Sequence, residues 1–176
     1  LESGHHTDSW LELDRLFVEP STIRPYASAL AQKLAPYGAD VACGPLTGGA
    51  FLAQLIAAEL GLEFSFTERI AGEGDGQPVV SYHIPPALRQ GLSSRRVALV
   101  DDAISAGSAV RGTLKDLRSC EAQVVVLAAL ILVGERPREM ATELGLPLEW
   151  LARTSTVLWT PADCPLCLQG VPLTLL

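Results

Sequence analysis

The run Val97-Ala98-Leu99-Val100-Asp101-Asp102-Ala103-Ile104-Ser105-Ala106-Gly107-Ser108-Ala109 constrains this chain more than any other part of it. Its apolar half predicts a buried strand that ends in two adjacent carboxylates. A Ser/Ala/Gly turn follows, then a helix predicted over 106–119. The strand fixes where the acids sit. The turn leaves backbone N–H groups uncovered at a helix N-terminus, where partial positive charge suits a phosphate. Carboxylates beside such a cradle accept from hydroxyl groups or hold a hard cation. A ligand with both hydroxyls and phosphate, a sugar phosphate, fits that pairing. The competing reading is a plain strand–turn–helix with solvated acids.

The remaining punctuation extends this unit into a layered fold. A helix is predicted over Thr22 to Leu34, with Pro25 in its first turn, where proline is tolerated, and Pro36 and Gly38 at its end. Val41 to Cys43 reads as a short buried strand and Gly49 to Leu60 as a helix stopped by Gly61. Leu62 to Thr67 alternates like a strand. Ala71 to Pro78, with three glycines and two acids, reads as a mobile loop, and Val79 to Ile84 as a strand closing a hairpin. Val124 to Val133 is the most apolar strand and is expected at the centre of a parallel sheet. A short helix over Arg138 to Leu144 and one or two strands within Trp150 to Trp159 complete the pattern. Alternating strands and helices predict an α/β fold, a mostly parallel central sheet with helices on both faces. Ligands of such sheets bind at the carboxyl ends of the strands.

Composition excludes several classes. The chain has 176 residues, room for one α/β domain with a real core. Its 20 acids against 13 bases argue against a nucleic-acid surface, which would be basic. No apolar run is long enough to span a membrane, and no export signal opens the sequence, so the protein is expected in the cytoplasm with reduced thiols. Lys33 and Lys115 are its only lysines.

Smaller motifs add chemistry. In Cys43-Gly44-Pro45-Leu46-Thr47-Gly48-Gly49, glycines let backbone amides approach an anion closely, although a simple tight turn is the alternative. His83 follows the glycine-rich segment and either reaches a site or lies on the surface; His5 and His6 read as solvated. Cys164-Pro165-Leu166-Cys167 is half of a zinc site, and no second pair exists. It reads as a structural turn in preference to zinc at Cys164 and Cys167. It does not open a helix after a strand in thioredoxin fashion, which argues against a redox disulfide.

The 97–109 run resembles the phosphoribosyl-diphosphate (PRPP) motif of type I phosphoribosyltransferases, with Ser105 and Ser108 where threonines are usual. Residues 43–49 look like the pyrophosphate loop of that family. Leu1, Ser3, Gly4, Thr7 and Trp10, continued by Asp14, Leu16, Phe17 and Pro20, are similar to the opening of orotate phosphoribosyltransferases. The resemblance runs in order from about Leu1 to Val133. It implies a type I phosphoribosyltransferase fold in one domain over 1–176, with 1–20 and 150–176 supplying a small hood and tail. It implies transfer of 5-phosphoribose from PRPP to a nucleobase nitrogen, an orotate-like pyrimidine first, with release of pyrophosphate. Asp101 and Asp102 would hold the ribose hydroxyls and Mg²⁺ brought with PRPP. Ala103, Ile104, Ser105, Ala106, Gly107, Ser108 and Ala109 would hold the 5′-phosphate. Leu46, Thr47, Gly48 and Gly49, helped by Arg69, would cradle the pyrophosphate. The partners implied are PRPP and a nucleobase, with no nucleic acid or membrane, and the assembly implied is a homodimer. Two departures matter: Gly48 stands where a lysine is frequent, and the segment after Arg69 has Glu73 and Asp75 but no lysine. They leave open an alternative, a non-catalytic sensor of PRPP or nucleotide.

Overall fold

The computed structural model describes residues 6–7, 11–74, 77–155, 158–159 and 162–172. Strands β2 (Val41–Pro45), β3 (Glu63–Gly74), β4 (Gln77–His83), β5 (Arg96–Ile104), β6 (Gln123–Val133) and β7 (Leu148–Thr154) form one sheet in the order β4-β3-β2-β5-β6-β7. All neighbours are parallel except β3 and β4. Separately, β1 (His6–Thr7) pairs antiparallel with β8 (Leu158–Trp159), so the two ends of the chain meet in one small sheet. Of the residues that suggested a hood, Leu1, Ser3, Gly4 and Trp10 lie outside the described residues.

The two faces of the sheet are covered by different helices, and strand alternation assigns the residues. Ala42, Ala98, Val100, Val126 and Ala128 pack against α2 (Pro20–Leu34) and α3 (Gly48–Leu60), through Leu30, Leu34, Leu52 and Ile56. Val41, Val97, Leu99 and Leu127 face α5 (Ser108–Ser119) and α6 (Arg136–Leu144), through Val110, Leu114, Leu117 and Met140. Burying each large aliphatic side chain contributes roughly 1.5–3 kcal/mol. Alanines on both sides of the α2/α3 interface let those helices lie close to the sheet. Three short helices, α1 (Asp14–Val18), α4 (Pro86–Arg89) and α7 (Pro165–Leu168), complete the described chain.

Several expectations need correction. The expected mobile loop over Ala71 to Pro78 is the outer part of a hairpin. β3 continues to Gly74, β4 starts at Gln77, and the register runs from Glu68↔His83 to Gly74↔Gln77. Cross-strand hydrogen bonding satisfies the backbone that local composition leaves to solvent. β6 is interior, but the central pair is β2 and β5. α5 begins at Ser108, not at residue 106, because Gly107 adopts φ 80°, a left-handed turn that no helix can include. Cys43 lies at 0% exposure in the core, with its thiol pushed up to about 12 by burial, and takes no part in the site.

A polar cluster docks the hairpin on α5. Asp116 accepts from the Ile84 N–H at 2.7 Å and from Arg89 Nη1 at 2.7 Å, with His83 Nδ1 3.4 Å away. Burial alone would raise its pKa; these donors outweigh burial and hold it below the usual carboxylate range. The Thr67 and Thr113 hydroxyls share a buried hydrogen bond of 2.7 Å. A Cβ on Gly112 would lie 3.1 Å from Tyr82 Cγ, so this glycine makes the room for the tyrosine ring.

Candidate active site

The central strands β2 and β5 are parallel neighbours, so their carboxyl ends lie side by side. The first leads through Leu46 and Thr47 into α3, and the second carries Asp101 and Asp102. The Leu46–Thr47 peptide is cis, and both residues are exposed, whereas Gly48 and Gly49 are buried. What buries the two glycines is the acidic pair. A Cβ on Gly48 would lie 2.5 Å from Asp102 Cγ, and one on Gly49 would lie 2.6 Å from Asp101 Oδ1. Gly44 is equally closed, its Cβ position 2.7 Å from the Val100 carbonyl. Two motifs separated by some fifty residues therefore form one wall.

The carboxylates are held from below. Asp102 N–H donates to Asp101 Oδ1 at 3.1 Å, and Ala103 N–H donates to Asp102 Oδ1 at 2.9 Å. Asp101 is 7% exposed. Burial first, then the charge and hydrogen bond of Asp102, raise its pKa well above the carboxylate range. Burial also raises Asp102, against the pull of the Ala103 amide. Two crowded acids of this kind are poised to take up positive charge or hydroxyl donors, either of which relieves their repulsion.

Of the expected phosphate-holding residues, the structure separates two from the rest. Ala103 and Ile104 belong to β5, where they pair with Ile131 and Leu132, and Ile104 is buried. The turn proper, Ser105 to Ser108, is exposed except for Gly107. No side chain caps α5 and its first turn holds no acid, which leaves its leading amides without an intrahelical or side-chain partner. Met140 supports the turn from beneath: a Cβ on Gly107 would lie 3.1 Å from Met140 Cε. Sequence reasoning missed this support, which crosses from a different helix. The start of α3 is likewise uncapped by any side chain.

Arg69 is exposed on β3, two residues beyond Thr67, whose carbonyl accepts from the Leu46 N–H at 2.9 Å. It therefore stands on the strand next to the glycine turn, opposite Tyr82. His83 is at the base of the hairpin with Asp116, on the edge strand and away from the glycine turn. Asp75 and His5 lie outside the described residues. No group of three or more metal-ligating side chains occurs among the described residues, and no described helix is long and apolar enough to cross a membrane.

A parallel sheet whose central strands join a glycine turn to an acidic pair, with an uncapped helix start beside them, is the fold of a type I phosphoribosyltransferase. The chain belongs to the phosphoribosyl transferase domain family, which matches residues 15–153. It is similar to orotate phosphoribosyltransferase of Caldanaerobacter subterraneus, 28% identical over 98% of this chain and 84% of that protein. It is also similar to the enzyme of that name from Thermotoga maritima, 29% identical over 98% and 85%. Among solved structures, orotate phosphoribosyltransferase from Aeropyrum pernix superposes with TM-score 0.67 at 22% identity, covering 87% of this chain and 83% of that one. Adenine phosphoribosyltransferase from Thermoanaerobacter pseudethanolicus gives 0.66 at 15%, covering 87% and 97%. At those identities the structural likeness establishes the fold.

Proposed function

We propose that this chain transfers 5-phosphoribose from PRPP to a nucleobase nitrogen, with an orotate-like pyrimidine as acceptor, and releases pyrophosphate. The observation that carries the reading is the contact of Gly48 and Gly49 with Asp102 and Asp101. On this reading a pyrophosphate cradle adjoins a ribose-binding pair, and the bond between them, at the anomeric carbon, would lie over the junction. The orotate phosphoribosyltransferase names of the relatives support the choice of acceptor.

Each part has a role. The amides and hydroxyls of Ser105 to Ala109 hold the 5′-phosphate, with Gly107 turning the backbone toward it. Asp101 and Asp102 accept from the ribose hydroxyls. Their negative charge, sheltered from water, favours the positive charge that builds on the ribose as the pyrophosphate leaves. The same carboxylates are a hard oxygen-donor set that fits Mg²⁺ entering with PRPP. When bound, the cation neutralises charge on the departing pyrophosphate. Thr47 to Gly49 hold the pyrophosphate through backbone amides, the Leu46 amide being taken by the Thr67 carbonyl. Arg69 supplies the fixed cation on that side, in place of lysine. The small sheet of β1 and β8 is assigned to the hood over the base on the family resemblance alone. The account includes a homodimer in the cytoplasm, as the family resemblance implies.

The test is pyrophosphate release from PRPP and Mg²⁺ with orotate. Asp101→Asn combined with Asp102→Asn is expected to abolish it. A double variant that turns over like the parent would remove the pair from the site.

A further inference from the structure

Cys164 and Cys167 have no part in phosphoribosyl transfer, yet the structure places them unlike an ordinary turn. Cys164 caps the start of α7: its Sγ accepts the Cys167 N–H at 3.4 Å. Its carbonyl accepts from Leu168 N at 3.1 Å, so the pair spans one closed helical turn. The motif does open a helix, a four-residue one that follows a turn at 162–163, not directly a strand. Residues three apart in a helix have Cα atoms about 5 Å apart, inside the range a disulfide bridges. Desolvation, and then Cys164 beside it, raise Cys167 from its ordinary value, so attack by its thiolate is expected to quicken as pH rises. The two thiols differ sharply in access, Cys164 lying at 0% exposure and Cys167 being exposed. An accessible sulfur beside a sheltered one is the arrangement of an attacking thiol and a resolving thiol. Cys43 and Cys120 are buried in the sheet core.

We propose that Cys164 and Cys167 form a redox-active dithiol that closes to an intramolecular disulfide by exchange with a small-molecule disulfide such as oxidised glutathione. Cys167 loses its proton to solvent, and its thiolate attacks one sulfur of the small disulfide. A mixed disulfide forms at Cys167 and the first glutathione thiolate leaves. Cys164 then gives up its proton and attacks the Cys167 sulfur. The Cys164–Cys167 bond forms, and the second glutathione thiolate departs. Two protein thiols are oxidised and one small disulfide is reduced to two thiols, its two departing thiolates taking up, through solvent, the two protons the cysteines release. The assignment is independent of what the phosphoribosyl site does.

The experiment treats the native chain with oxidised glutathione, quenches with acid, alkylates what remains, and weighs the peptide carrying both cysteines. The expected product has lost two hydrogens, carries no glutathione or alkyl group, and reverts with dithiothreitol. In Cys164→Ser, whose hydroxyl keeps the helix cap, the reaction is expected to stop with one glutathione on Cys167. At equal times the wild-type mixed disulfide should be at least about tenfold less abundant than in that variant, because Cys164 resolves it. A wild-type chain that accumulates the mixed disulfide to the same level overturns the proposal. So does one whose two thiols stay unmodified, or one that purifies with about one zinc per chain. The wild-type arm decides these outcomes even if the variant fails to fold.

Discussion

Gly48→Ala isolates the contact on which the site depends. The new Cβ would lie 2.5 Å from Asp102 Cγ and 3.0 Å from its Oδ1. Carbon atoms in ordinary contact are about 3.5–4.0 Å apart, so the carboxylate has to withdraw by about 1 Å. Displacement of that size at a reacting centre costs about 10²-fold in rate, equivalent to about 2.7 kcal/mol on the barrier. Stability should change far less. Overpacking costs about 1–3 kcal/mol, and replacing glycine by alanine at the start of α3 recovers up to about 1 kcal/mol. A net loss of about 0–3 kcal/mol lowers Tm by no more than about 12 °C in a chain of this size. Gly91→Ala is the control, since its added Cβ meets no atom within 4 Å. The assay is pyrophosphate release at saturating PRPP, with thermal melts of all three proteins. Gly48→Ala with wild-type turnover would refute the argument that the glycine turn and Asp102 form one site. A collapse of Tm to match the loss of rate would show that the effect is on folding.

Other perturbations separate the remaining parts. Asp101 is held protonated to higher pH in the fold than in the unfolded chain, so it contributes stability that falls as pH rises from the ordinary carboxylate range through its raised value. Asp101→Asn should therefore melt higher than wild type at neutral pH while losing turnover, with a Tm that depends less on pH above the ordinary carboxylate range; a lower Tm there would contradict the assigned direction. Arg69→Ala should lower kcat by about 10²-fold and leave binding of ribose 5-phosphate unchanged, if its cation acts on the leaving group as proposed; unaltered kinetics would take Arg69 out of the mechanism. Asp116→Ala leaves the Ile84 amide and Arg89 without their acceptor and should destabilise the fold by about 2 kcal/mol in denaturant titration; wild-type stability would show that the cluster does not anchor the hairpin.

The parts of this site that were legible in the sequence are those built from local signals. An apolar run, two acids and a glycine turn lie within thirteen consecutive residues, and their periodicity specifies strand, turn and helix start together. The contacts that turn these pieces into a site are not local. Nothing near Gly48 reports that Asp102 will bury it, and nothing near Gly107 reports Met140 beneath. The hairpin shows the same limit. Gly72, Gly74 and Gly76 with two acids have poor strand propensity, yet pairing of β3 with β4 carries the strand through Gly74. The cysteine pair was visible as spacing only; its redox reading needed the short helix and the difference in exposure between the two sulfurs.

The central claim is that this site does chemistry and does not merely bind PRPP. Pyrophosphate release from PRPP and Mg²⁺, followed across a panel of nucleobases that includes orotate, tests it most directly. Release that depends on orotate, and stops in the Asp101→Asn, Asp102→Asn double variant, is the predicted result. PRPP binding by calorimetry with no release for any base would contradict the account and leave a sensor built on a phosphoribosyltransferase fold.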